Sequence, residues 1–163
     1  MISTKQLVEG FAEMVREKGP WELFLTMTFR VEKGEQNAKR CFKCVLKYIN
    51  EPGDVYYQKI VHAFIVLEQD TNRDTVHIHS FIRGIDPSRA VSLQNKIMDK
   101  LCWKNKCAQD KGHQRKPKIV TGQTVVRPYD PELGGDYYLG WKYPFSKMVD
   151  YDFIKINSRF REQ

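Results

Sequence analysis

The sequence predicts an α+β domain: a split β-α-β-β-α-β order that folds into an antiparallel sheet, with helices on one face and an active site on the other. Three observations predict it. Runs rich in β-branched and aromatic residues with strand-like patterning occur at 22–31, 59–68, 76–83 and 118–127. Stretches with helical apolar spacing, at 36–49 and 87–102, separate the first run from the second and the third from the fourth. The second and third runs are joined directly by the polar segment Gln69-Asp-Thr-Asn-Arg-Asp-Thr75, which suits a hairpin loop.

Each element has its own signals. Ser3 or Thr4 can cap an amphipathic helix running to about Lys18, with Leu7, Phe11 and Met14 on one stripe. The strand at 22–31 contains Phe24-Leu-Thr-Met-Thr-Phe29, and the helix near 36–49 carries Cys41, Cys44, Leu46 and Ile49. Asp86 followed by Pro87 opens the next helix, in which Val91, Leu93, Ile97 and Leu101 are apolar. The strand at 118–127 leads into a Gly- and Tyr-rich segment, and Asp152-Phe-Ile-Lys-Ile156 reads as a short tail strand. The chain of 163 residues is expected to form one domain over 1–163: an N-terminal helix at 3–18, a core over about 20–147 and a tail over 148–163. From the second element onward the order is that of a ferredoxin-like fold.

His77-Ile-His79 carries the strongest chemical signal. Side chains on a strand alternate faces, so the two imidazoles point to one side while Val76, Ile78 and Ile82 point to the other. A hairpin with its tip near Asn72-Arg73 sets Glu68 opposite His77 and Val66 opposite His79. Opposed residues share a face with Cβ atoms about 5 Å apart. Glu68, His77 and His79 then converge on one surface, as ligands to a divalent metal with coordination positions left open. The bland alternative is a polar sheet face, and a one-residue slip in register would send Glu68 to the other side.

The segment Asp130-Pro-Glu-Leu-Gly-Gly-Asp-Tyr-Tyr-Leu-Gly-Trp-Lys-Tyr-Pro144 offers a nucleophile. Asp130 and Pro131 suit a helix start, and Pro144 disfavours helical geometry at Tyr143. Tyr138 and Lys142 are spaced i, i+4 and share a helix face, where the ammonium favours the phenolate or offsets charge on a phosphate. Tyr143, with Lys147 four residues on, is the backup nucleophile, and Tyr137 with Trp141 reads as packing.

A formal net charge of +7 points to an anionic partner. Lys104, Lys106, Lys111, Arg115, Lys116 and Lys118 concentrate positive charge in one loop-like stretch, suited to nucleic-acid phosphates. Trp103, Tyr129 and Trp141 are candidates for base stacking, though for each alone core packing is the better explanation. The cysteines form Cys41-x-x-Cys44 and Cys102-x4-Cys107; neither pair lies in a typical zinc knuckle, so reduced thiols are expected, with His113 the one further ligand for structural zinc.

With three motifs in order, the chain resembles the HUH endonucleases, specifically the rolling-circle replication initiators of small phages, plasmids and single-stranded DNA viruses. Phe24-Leu-Thr-Met-Thr-Phe29 is similar to the family's opening strand, His77-Ile-His79 with Glu68 to its metal triad, and Tyr138-Leu-Gly-Trp-Lys142 to its tyrosine–lysine motif. Here three residues separate Tyr138 from Lys142, where the family usually has two. The resemblance spans residues 24 to 143. It implies a site-specific single-stranded DNA endonuclease and strand-joining enzyme that uses Mn²⁺ or Mg²⁺ and forms a 5′-phosphotyrosine. It further implies a replication origin as substrate, with hairpin or duplex beside the unpaired strand.

No G-x-x-x-x-G-K-[ST] occurs, so a helicase, like the polymerase, is expected from a separate protein. No secretory leader or apolar run of membrane-spanning length occurs either, so the expectation is a cytoplasmic enzyme of the element's host cell, with no membrane partner. Two alternatives stand beside it. One is a single-tyrosine transposase or relaxase of the same superfamily, although relaxases usually carry three His. The other is a non-catalytic ferredoxin-like RNA-binding module, which would display aromatics where this chain places His, Glu and Thr.

Overall fold

Alternation along each strand builds the molecule, because every central strand offers one buried and largely apolar side. The computed structural model describes residues 3–29, 34–49, 57–69, 76–101, 121–131 and 148–157. In chain order they form α1 (Thr4–Glu17), β1 (Leu23–Phe29), α2 (Glu35–Ile49), β2 (Tyr57–Gln69), β3 (Val76–Ile85), a 3₁₀ turn (Pro87–Arg89), α3 (Ala90–Leu101), β4 (Thr121–Pro128) and β5 (Met148–Asn157). The five strands make one sheet in the order β4-β1-β3-β2-β5, and every neighbouring pair is antiparallel. The split β-α-β-β-α-β order is therefore present from β1 to β4. The tail strand is longer than its apolar core suggested, because it pairs along β2 from Ile60 to Glu68.

One face of the sheet presents Leu23, Leu25 and Met27 of β1, Val61, Ala63, Ile65 and Leu67 of β2, and Ile78 and Ile82 of β3, all buried. Helix α2 covers them with Ala38, Cys41, Phe42, Val45, Leu46 and Ile49, and α3 with Ala90, Leu93 and Ile97. Fully burying an aliphatic side chain of this size stabilises by roughly 1.5–3 kcal/mol, so this layer is the larger source of hydrophobic stabilisation. Val91, one of the apolar residues of α3, is 70% exposed. The buried stripe runs through its neighbour Ala90 instead, one residue being about 100° of helix rotation.

Helix α1 lies on the opposite face. Ser3 caps it as expected: its hydroxyl accepts from the Gln6 N–H at 3.3 Å, while the Gln6 side chain accepts from the Ser3 N–H at 2.8 Å. Val8, Ala12 and Val15 are its buried residues, with Phe11 and Met14 packed beside Phe24, Phe64, Val66 and Phe81. Leu7, expected on the stripe, is 46% exposed. The small side chains at 8, 12 and 15 turn a neighbouring line of the helix inward. Trp21 pins the end of α1 by donating its indole N–H to the Val15 carbonyl at 2.8 Å.

A bulge shapes the far end of β3. Gly84 has φ +97°, where L side chains are strained, and a Cβ there would overlap the Ile60 carbonyl. The Glu22 carboxylate accepts from the N–H groups of Gly84 and Ile85, where the register between β2 and β3 shifts.

Candidate metal centre

The site lies on the α1 face, at the end of β2 and β3 nearest their connection. Register delivers it. Glu68 pairs with His77 and Val66 with His79, the alignment expected from a hairpin tip near Asn72-Arg73. Period-two alternation then puts Glu68, His77 and His79 on the same side, away from the apolar layer. A bulge in β5 falls between the partners of Leu67 and Glu68, and it interrupts the regular ladder beside the carboxylate.

The three side chains form a tight group. His79 Nε2 lies 3.0 Å and His77 Nε2 3.8 Å from the same Glu68 oxygen, Oε2. The two rings stand edge to face with centroids 5.7 Å apart. One ligating atom from each of the three residues lies within 4.8 Å of the other two. All three are partly buried, which limits screening by water while leaving access from solvent. This is the one such group of His, Cys, Asp and Glu among the described residues. Two imidazoles and a carboxylate can hold a divalent ion with positions to spare for water or substrate.

Thr26, on the neighbouring strand β1, completes the support of His79. It pairs with His79 across the sheet, and its Oγ1 lies 3.2 Å from His79 Nδ1. A carboxylate only accepts, so the contact with Glu68 calls for the proton on Nε2, and Nδ1 then accepts from the threonine hydroxyl. Binding an ion through Nε2 requires the other tautomer, in which Nδ1–H donates and the same hydroxyl accepts. A hydroxyl serves both states; a methyl group would serve neither. The sequence marked Thr26 as part of an opening strand, but its partnership with His79 depends on the β1–β3 register, which no local loop specifies.

Phe24 flanks the imidazole on the other side. Its ring is nearly parallel to that of His79 at 6.3 Å, and the Arg127 guanidinium sits 4.8 Å from its centroid. Arg127 lies opposite Phe24 on β4 and is exposed. Tyr129, considered for base stacking, packs edge-on against Phe81 at 5.1 Å and belongs to the aromatic cluster under α1. Cys41 is buried, Cys44 is partly buried and both are free thiols.

The remaining sequence-derived site residues lie outside the described residues: Tyr138, Lys142 and Tyr143 of the nucleophile segment, and Lys104, Lys106, Lys111, Arg115, Lys116 and Lys118 of the basic stretch. The same holds for Cys102, Cys107, His113, Trp103 and Trp141. Among the described residues no helix is long and apolar enough to cross a membrane. No family model, curated protein or solved structure matches this chain.

Proposed function

We propose that the chain is a metal-dependent endonuclease and strand-joining enzyme acting on single-stranded DNA, of the kind that initiates rolling-circle replication. The observation that carries the reading is the meeting of Glu68, His77 and His79 on adjacent strands of a split β-α-β-β-α-β sheet. The net charge of +7 supports a polyanionic substrate. Arg127 beside the site, with no carboxylate partner among the described residues, supports it further.

Glu68, His77 and His79 would hold the ion, Mn²⁺ or Mg²⁺, and a divalent ion there supplies charge neutralisation at the scissile phosphate and its leaving oxygen. Thr26 would accept from the Nδ1–H of the metal-binding tautomer of His79 and so hold the ring in orientation. The phenolic oxygen of Tyr138 attacks phosphorus, the bond from phosphorus to the 3′-oxygen breaks, and that oxygen takes a proton to become a free 3′-hydroxyl. The strand's 5′ end stays on the tyrosine, so reverse attack by a 3′-hydroxyl rejoins strands without another energy source. Lys142 offsets negative charge on the phosphate. Tyr143 is the backup nucleophile; on a helix it would point roughly 140° away from Tyr138, so only one of the two can serve a single phosphate.

A labelled single strand incubated with protein and Mn²⁺ tests the reading. The expected result is a covalent adduct that resists denaturation, requires the metal, maps to Tyr138 and disappears in Tyr138→Phe. Adduct formation undiminished by EDTA, or DNA attached at Tyr143, would overturn the metal or the tyrosine assignment respectively. The same donor set also accepts Fe²⁺, as in oxygen-activating enzymes; a strand cut in Mn²⁺ without oxygen separates the two chemistries.

A further inference from the structure

The outer strand β5 carries chemistry that the metal centre does not use. Tyr151, Phe153 and Lys155 alternate onto the α1 face, opposite Val66, Phe64 and His62 of β2. Glu68 lies on that same face of β2, two residues beyond Val66, so the row starts about 7 Å along the strand from the metal ligands. From Tyr151 to Lys155 it extends about 13 Å.

Both aromatics are held from beneath and open above. Tyr151 meets the edge of Phe11 at 5.4 Å and Phe153 packs on Phe64 at 4.8 Å, yet Tyr151 is 38% and Phe153 40% exposed. Rings fixed in this way lose little freedom when a ligand stacks on them. Positive charge surrounds the far end of the row. Lys18 Nζ lies 5.9 Å from the Phe153 ring centroid, and Lys155 is exposed beside it. His62, between Arg83 and Lys155, has its pKa held below 6.5 by burial first and then by those two charges. Asp152, which separates the two aromatics in sequence, turns to the other face and lies 4.0 Å from Lys39. Beyond Glu68, the described side chains of the row offer no carboxylate to repel an anion.

We infer that this row is a binding strip for single-stranded DNA, with bases stacking on Tyr151 and Phe153 and backbone phosphates paired to Lys18 and Lys155. Exposed aromatics interleaved with ammonium groups that have no carboxylate partner among the described residues match the two features of an unpaired strand, a free base face and a phosphate charge. Bases in a duplex have no free face, so the strip selects single strands. This inference rests on the nicking reading, because it takes the strip as the path of the strand leading to the metal centre.

Fluorescence anisotropy with a labelled oligothymidylate in EDTA reads binding without cleavage. Tyr151→Leu and Phe153→Leu keep apolar bulk against α1 and remove the ring, and thermal melts confirm that they fold. Each should weaken binding about tenfold. Lys155→Gln should weaken it and reduce the slope of log affinity against log salt by about one. Wild-type protein that binds while all three folded variants bind equally well would overturn the strip and leave the nicking reading intact. Wild-type protein that binds no single strand would overturn both. Tighter binding to a blunt duplex, or to a ribonucleotide strand of equal length, would overturn the assignment to single-stranded DNA.

Discussion

The two faces of the sheet come from the same strands, yet they divide the work of the molecule. Along β3, Val76, Ile78, Ser80 and Ile82 turn toward α2 and α3, whereas His77, His79, Phe81 and Arg83 turn toward α1. The first face is aliphatic apart from Ser80, which is accommodated there by donating to the Leu25 carbonyl at 3.3 Å. The second is graded, with ligating groups at one end, aromatics under α1 in the middle and cations at the other end. Period-two alternation lets one strand satisfy a dry core and an open site together, so changes to one face should leave the other largely intact.

The largest expected effect tests that independence from the core side. Ile78→Ala removes a wholly buried side chain between the two metal-ligand histidines and should cost about 2–5 kcal/mol in urea unfolding. His79→Ala, one residue away on the other face, should change stability by less than about 1 kcal/mol in the same assay, since its partners are partly solvated. Equal losses in the two variants would break the comparison.

Metal linkage sharpens it from the site side. Mn²⁺ at a hundred times its dissociation constant should stabilise the wild-type protein by about 2.7 kcal/mol, seen as a raised melting temperature. The shift should persist in Leu7→Ala, whose site is untouched, and vanish in His77→Ala. Thr26→Val is subtler: the fold should survive, while metal affinity measured by calorimetry should fall roughly 10- to 100-fold as His79 loses its orienting partner.

The smallest effect concerns His62 at the cationic end. Its folded-state pKa lies below the 6.5 of the unfolded chain, so the unfolded state takes up a proton first as pH falls. The stability tied to its neutral form is fully present above 6.5 and is lost as pH falls toward the lowered folded value. His62→Gln should therefore slightly flatten the fall in melting temperature on the acid side of neutrality, and an unchanged pH profile would remove this group from the account.

Much of this is legible in the sequence alone because it is local. The seven-residue segment between Glu68 and Val76 left little freedom in pairing β2 with β3, so the meeting of Glu68 with His77 followed from counting. The split order of elements was equally readable from where the hydrophobic period changes. What escaped depends on contacts distant in sequence. Thr26 reaches His79 across a β1–β3 pairing that no turn specifies. The choice of Val8 over Leu7, and of Ala90 over Val91, depends on how closely a helix approaches the sheet rather than on amphipathicity alone. That α1 shares its face with the metal ligands, and that Tyr151 and Phe153 flank them on β5, required the whole sheet.

The central claim is that Glu68, His77 and His79 bind one divalent ion as a unit. Titration of Mn²⁺ into wild-type protein and into the His77→Ala/His79→Ala double variant, followed by electron paramagnetic resonance of the free ion, tests it directly. The account predicts one ion bound per wild-type chain and none in the folded double variant. One ion bound with undiminished affinity by the double variant would contradict it.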